Sequence, residues 1–283
     1  MFNISFDIDY MNLYRIKHKL PPEDKIDPII TKGLERACNL LSNNNIKATF
    51  FIVGDSVVEY KSNYMKLVKE EMEIGNHTLN HTNLFDLSFD EQEKQISMCQ
   101  DIIAKELNYK SVGFKAPGCN YTECLDKILI KYGIKYNASA FNNILMPVAK
   151  YILYKQTGQS IFGSFGKILQ TSKINIKNGL INIPYGTTSF KLPYYGSFHA
   201  KFPITAKMKV PKFPFTYLIH PIEFLENNEI DDQIIVYKTT LKERVKIYNN
   251  IINKLRSNNR QPFLLKDLCI DKNTQTINFN ELI

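Results

Sequence analysis

Short apolar runs alternating with amphipathic stretches constrain this chain more than any other feature. Residues 2–6 (Phe-Asn-Ile-Ser-Phe) read as a strand. Residues 29–41 place Leu34, Ala37, Cys38 and Leu41 at helical spacing and stop at Ser42-Asn43-Asn44-Asn45. Residues 48–53 form a second apolar strand closed by Gly54. Asp55 then caps a helix expected to reach Met72, and Asp90 opens another expected to reach Leu107. Val112-Gly113-Phe114 reads as a strand, and residues 122–132 as a helix stopped by Gly133. Strands alternating with helices predict a parallel sheet covered by helices, either a barrel or a doubly wound sheet. The rhythm fails over 141–214, where six prolines and short β-like runs such as 180–183 read as an elaborated insertion. It returns with a strand at 215–219, a helix at 240–255 and a last strand near 263–265. One domain over 1–283 is the expectation.

A chain of 283 residues, 44% hydrophobic and 23% charged, can bury a sizeable core without disulfides or structural metal. Its apolar runs are all shorter than the roughly 20 residues that span a bilayer. Five scattered cysteines without a CxxC fit reduced thiols, and the start MFNISFDIDY lacks the pattern of a secretory signal. Both predict a cytoplasmic protein. The net charge of +8 is uneven: between Lys127 and Ile222 there are thirteen lysines and no Arg, Asp or Glu. Such a segment is either a solvated face or a positive surface for a phosphorylated substrate or for peripheral contact at the inner membrane face. Without clustered arginines or a binding motif, nucleic acid is not expected as a partner.

Asp7 and Asp9 sit two apart at the end of the first strand, so alternation puts both carboxylates on one face at its C-terminal end. In a parallel barrel that end gathers catalytic groups. Two carboxylates so close do not ionise independently unless a cation lies between them. Taken alone, an Asp-x-Asp is more often a turn or cap. His77 and His81 are four apart, and on one helical turn they would stand side by side, which suits two-point chelation. An isolated pair of this kind is more often a surface loop. Here only five histidines are present, and two His with one carboxylate make an open site for zinc or another divalent transition metal, with room for a water. Lys115-Ala116-Pro117-Gly118 follows the next strand, and its turn can present a backbone N–H. His220, before Pro221 at a late strand end, has an ordinary pKa that suits a proton donor.

In order along the chain, these segments resemble the polysaccharide deacetylase family, the NodB-homology carbohydrate esterases of the family 4 type. The matching pieces are Ser5-Phe6-Asp7-Ile8-Asp9, 47–54, Gly75-Asn76-His77-Thr78 through His81, 114–118, Tyr136-Asn137-Ala138-Ser139 and Leu218-Ile219-His220-Pro221. Residues 180–203, with Lys191-Leu192-Pro193 and Gly196-Ser197-Phe198, are similar to a subgroup acting in surface-polysaccharide assembly. Two positions depart. The family's arginine is Lys115, which loses a bidentate grip on Asp7. The family's aspartate is Asn137, which removes a charge partner for His220.

The resemblance implies a distorted (β/α) barrel and a metal-assisted amide hydrolysis. Asp9, His77 and His81 would hold the ion, Asp7 would be the base and His220 the acid. The Gly118 N–H would stabilise the oxyanion, Lys115 would stand for the arginine beside Asp7, and Leu218 would line the acyl-methyl pocket with Pro117 nearby. Tyr194, Tyr195, Phe198 and His199 offer flat surfaces for sugar rings, and Lys201, Lys207, Lys209 and Lys212 lie close in sequence to the strand bearing His220. The expected substrate is an acetamido sugar carrying phosphate, such as a nucleotide- or lipid-linked precursor of a surface glycan. Two other readings stand beside it: a deformylase or ring-amide hydrolase using the same metal set, and a catalytically silent glycan- or membrane-binding chain.

Overall fold

The computed structural model describes residues 1–141, 171, 173–234 and 237–269. Eight strands form one sheet: β1 (Phe2–Ile8), β2 (Thr49–Ile52), β3 (Glu73–Asn76), β4 (Gly113–Phe114), β5 (Tyr136–Ala140), β6 (Asn175–Lys177), β7 (Leu180–Pro184) and β8 (Phe215–Ile219). Their spatial order is β6-β7-β5-β4-β3-β2-β1-β8, with every neighbouring pair parallel except the β6–β7 hairpin. The sheet curls until β7 and β8 nearly meet. A parallel bridge joins Tyr185 to Thr216, and Gly186 N–H donates to the Thr216 carbonyl at 3.1 Å. This is the distorted barrel that the family resemblance implies, one of the two forms the strand–helix alternation left open.

Strand β1 shows why such a sheet reads as a buried run. Phe2, Ile4, Phe6 and Ile8 pack beneath the outer helices, and Phe6 stacks on Phe50 of β2 at 4.9 Å. The alternate residues turn inward and are polar yet paired. Asn3 donates to Thr49 Oγ1 at 3.1 Å, and the Thr216 hydroxyl contacts both Asn3 Oδ1 and Ser5 Oγ. Buried polar groups satisfied in this way carry little desolvation penalty.

Several elements differ from the sequence expectation. Helix α1 (Met11–Lys17) lies between β1 and α2 (Leu34–Asn43), where no helix was expected. The helix expected over 29–41 opens instead as a π-turn at Ile29–Gly33, with Asp27 Oδ1 accepting the N–H groups of Ile29 and Ile30. The helix expected over 55–72 breaks at Tyr60 into α3 (Asp55–Glu59) and α4 (Lys61–Lys69), and the Tyr60 hydroxyl accepts the Asp27 N–H at that break. Helix α5 (Phe89–Leu107) starts one residue earlier than expected, at a Ser88/Glu91 capping box. It is followed by α6 (Leu125–Lys131), α7 (Gly196–Lys201) and α8 (Leu241–Ser257).

The stretch read as an insertion contributes a barrel wall, because β7 pairs with β5 in parallel. Its hairpin turns through Asn178 and Gly179, both at positive φ, as an Asn-Gly pair favours. The part of that stretch at 142–170, including Pro147, and residue 172 lie outside the described residues. The last strand expected near 263–265 is reduced to a single bridge between Phe2 and Pro262, and a 3-10 turn at Leu265–Cys269 follows.

Candidate active site

The chemistry-bearing residues collect at the C-terminal ends of β1, β3, β4 and β8. Asp7 lies within β1 and Asp9 just beyond it. His77 and His81 do not share a helical turn. They stand on an irregular loop after β3, in which Thr78 (φ 68°) and His81 (φ 60°) adopt left-handed backbone. That loop is held by the end of β2: Gly54 and Asp55 N–H groups donate to the carbonyls of Thr78 and Leu79 at 3.0 and 2.8 Å. Gly75 allows the approach in β3, since a Cβ there would meet the Phe51 ring at 2.4 Å.

One ligand atom from each of Asp9, His77 and His81 falls within 4.8 Å of the others. The His77 ring nitrogen Nδ1 lies 2.7 Å from the Lys115 carbonyl. A carbonyl can only accept, so Nδ1 carries the proton and the Nε2 lone pair faces the site. Asp9 Oδ1 sits 3.5 Å from that nitrogen and 3.3 Å from His81 Nε2. It is buried without a hydrogen-bond donor among the described residues. An orphaned buried carboxylate oxygen beside two imidazoles fits a divalent cation, and zinc accepts this donor set.

The electrostatics agree. Burial alone would raise the Asp9 pKa, but the His81 and His77 rings outweigh it and hold the carboxyl well below the usual range. Burial pushes His81 down to about 4, against the pull of Asp9, which keeps it in the neutral, ligating form at pH 7.

Asp7 stands beside this set. Its Oδ1 takes the Lys115 ammonium at 2.6 Å, and its Oδ2 lies 3.9 Å from both His77 Nε2 and His220 Nε2. Lys115 therefore does reach Asp7, by one point where a guanidinium would offer two. Its ammonium also lies 5.4 Å from the centre of the Phe51 ring and 4.7 Å from that of Tyr185. Aromatic faces stabilise a cation held this way.

The partner of His220 is also different from the expectation. Asn137 turns to accept the Ser139 N–H, while His220 Nδ1 lies 3.3 Å from Glu223 Oε1 and 3.1 Å from Ser197 Oγ. Burial alone would lower the His220 pKa; the bond to Glu223, with Asp7 and Asp9, reverses this and leaves it above the ordinary 6.5. Glu223 and Ser197 were missed by sequence reasoning. The only trace of Glu223 was its place three residues after His220.

A cleft of about 450 Å³ opens over Asp9 and His81. One wall is α1 with Tyr10, and the other is built from Asn80, Thr82, Asn83, Pro117, Gly118 and Asn120. Gly118 sits at φ 59° in the turn after β4. Leu218 packs with Cys119, Phe141 and Tyr185 in an apolar cluster, with Tyr195 against it; Cys119 lies between Gly118 and Asn120 of the cleft wall. Tyr195 and Phe198 pack on each other at 6.2 Å and are not part of the cleft lining. Tyr194 and His199, expected as flat sugar-facing surfaces, are instead core residues. His199 is hydrogen-bonded to the Tyr217 hydroxyl, and burial pushes its pKa down to about 3. Lys207, Lys209 and Lys212 are exposed away from the cleft lining.

The part of the chain that carries His77, His81 and Lys115 is similar to the polysaccharide deacetylase family. That family's sequence pattern matches residues 24–137. Among curated relatives, the peptidoglycan-N-acetylmuramic acid deacetylase PdaC of Bacillus subtilis is 34% identical over 110 residues, covering 35% of this chain and 24% of that protein. The peptidoglycan-N-acetylglucosamine deacetylase of Bacillus cereus is 32% identical over 89 residues, covering 31% of each. This chain thus spans about a quarter to a third of the length of these two relatives. A solved CE4 family pseudoenzyme from Bacillus anthracis shares the fold, with a TM-score of 0.52 and 15% identity over 95% of this chain and 64% of that one.

Proposed function

We propose that this chain is a metal-dependent hydrolase that removes the N-acetyl group from an acetamido sugar of a glycan. The observation that carries the reading is the convergence of Asp9 Oδ1, His77 Nε2 and His81 Nε2, with Asp7 and His220 facing each other beside them. A divalent ion held there supplies Lewis acidity to the acyl oxygen and lowers the pKa of water. Asp7 Oδ2, free of the Lys115 bond, takes the proton of the attacking water. The water oxygen bonds to the acyl carbon, and the Gly118 N–H is the chain's own donor to the oxygen that gains charge. His220, kept protonated by Glu223, gives its proton to the amine nitrogen as the C–N bond breaks, so that acetate and a free amine leave. Leu218 is assigned to the acyl methyl.

The carboxamide wall of the cleft supports a hydroxyl-rich ligand. A phosphate-linked precursor remains the finer proposal, supported by the lysine-rich segment; a cytoplasmic location, at the inner membrane face, is supported by that segment and by five cysteines outside any disulfide. A second reading, a silent glycan-binding chain, draws on the Lys115 and Asn137 substitutions. Protein loaded with zinc and incubated with chitooligosaccharides and peptidoglycan fragments separates the two. Acetate release lost on chelation and restored by metal supports the enzyme; stoichiometric metal and glycan binding without acetate supports the silent chain.

A further inference from the structure

Helix α1 is fixed in place as one wall of the cleft. Arg15 donates through Nε to the Pro21 carbonyl at 2.7 Å and pairs through its guanidinium with Glu23 and Asp231 at 2.9 and 2.8 Å. Asp27 accepts the Met11 N–H at the other end. A wall held at both ends presents its side chains to the cleft at a defined position. Those side chains are Leu13, Tyr14, Ile16 and Lys17.

Among the described residues, Lys17 is the only lysine or arginine in the cleft lining. It is half-buried, and none of the described residues places a carboxylate within 4 Å of it. The one acid of the lining besides Asp9 is Asp86, which accepts a hydrogen bond from Asn83. Burial pulls the Lys17 pKa down, Asp9 opposes it, and Lys201, exposed at the end of α7, adds a smaller push in the same direction as burial. A half-buried cation with no acid partner gains most from an anion that arrives with the ligand.

We infer that Lys17 is an anion subsite of the cleft, which selects acetamido sugars bearing a carboxylate or phosphate near the scissile acetamide. This rests on the deacetylase reading for its substrate class and moves the expected anion contact from the lysines around residue 207 to α1.

The test measures binding directly, so that it holds whether or not the chain turns substrate over. Calorimetry on the full chain compares chitotriose, a disaccharide containing N-acetylmuramic acid, and N-acetylglucosamine 6-phosphate, at low and high salt. The expected result is a preference for one of the two anionic ligands over the neutral one that falls by about tenfold or more in Lys17→Gln. Lys17→Arg should restore it, and salt should weaken the anionic ligand selectively. Which anionic ligand shows the effect tells carboxylate from phosphate. Equal affinity for all three ligands, or a uniform loss in Lys17→Gln that arginine does not rescue, would overturn the subsite. Absence of acetate release with the anion preference intact would instead count against the deacetylase reading.

Discussion

Lys115→Met removes the one lysine or arginine that contacts Asp7 among the described residues, while keeping an unbranched chain between the Phe51 and Tyr185 rings. The pair is 2.6 Å long, with Lys115 fully buried and Asp7 8% exposed. Removing one partner of a buried pair costs about 3–5 kcal/mol because the other charge stays uncompensated. His77 and His220 remain 3.9 Å from Asp7 Oδ2, which places the expected loss near the lower end, about 3 kcal/mol. In a chain of this size each kcal/mol moves Tm on the order of 2–4 °C, so the midpoint should drop by about 6–12 °C. Adding Asp7→Asn removes the orphaned charge and should recover much of the loss, giving a coupling of about 2 kcal/mol in the double-mutant cycle. Urea unfolding of chelator-treated protein measures all four corners without metal interfering. A loss below about 1 kcal/mol for Lys115→Met, or a coupling near zero, would refute the reasoning, because the lysine would then be held by its rings alone.

His81→Ala should abolish tight metal binding, measured by metal analysis after dialysis; stoichiometric retention would rule out the ligand set. Asp7→Asn should keep the metal and lose most turnover, and His220→Ala should cost about 10²–10⁴-fold in kcat; normal turnover by Asp7→Asn would remove it as the base. Because the His220 pKa is raised in the fold, its stabilising contribution is full below the ordinary 6.5 and is lost as pH rises through the folded value. Glu223→Gln should therefore shift the alkaline limb of the kcat/KM profile to lower pH, and an unmoved limb would unseat Glu223 as the partner. Gly75→Ala should destabilise by about 1–3 kcal/mol through overpacking against the Phe51 ring, read by urea unfolding.

Much of the site was visible in the residues themselves. The alternation of Phe2 to Ile8 marks a strand and puts Asp7 and Asp9 at its end, and the apolar run before Gly54 marks the neighbouring strand. The capping pairs Ser88/Glu91 and Thr240/Glu243 fix where two long helices begin. The Asn178-Gly179 turn was equally present in the sequence, and the β-like run at 180–183 after it is β7; only its parallel pairing with β5, which makes it part of the barrel, was not legible there.

Local pattern therefore determined the strand–helix order and marked Asp7, Asp9, His77, His81 and His220 as candidates, since periodicity, caps and strand ends act within a few residues; their division into metal ligands, base and acid is what the family resemblance implies. Tertiary structure decided how those residues meet. The loop bearing His77 and His81 takes its left-handed turns because Gly54 and Asp55, in the turn from β2 into α3, supply the N–H groups that hold it. Lys115 reaches Asp7 across 108 residues, and Tyr185 covers Lys115 from a segment that read as an insertion. Glu223 replaces the missing aspartate because the chain turns back beside His220 through a capping box. The Lys115 contacts depend on the curling of the sheet, which brings together strand ends far apart in sequence, and no local propensity encodes that distance; the Glu223 pairing, three residues from His220, is local.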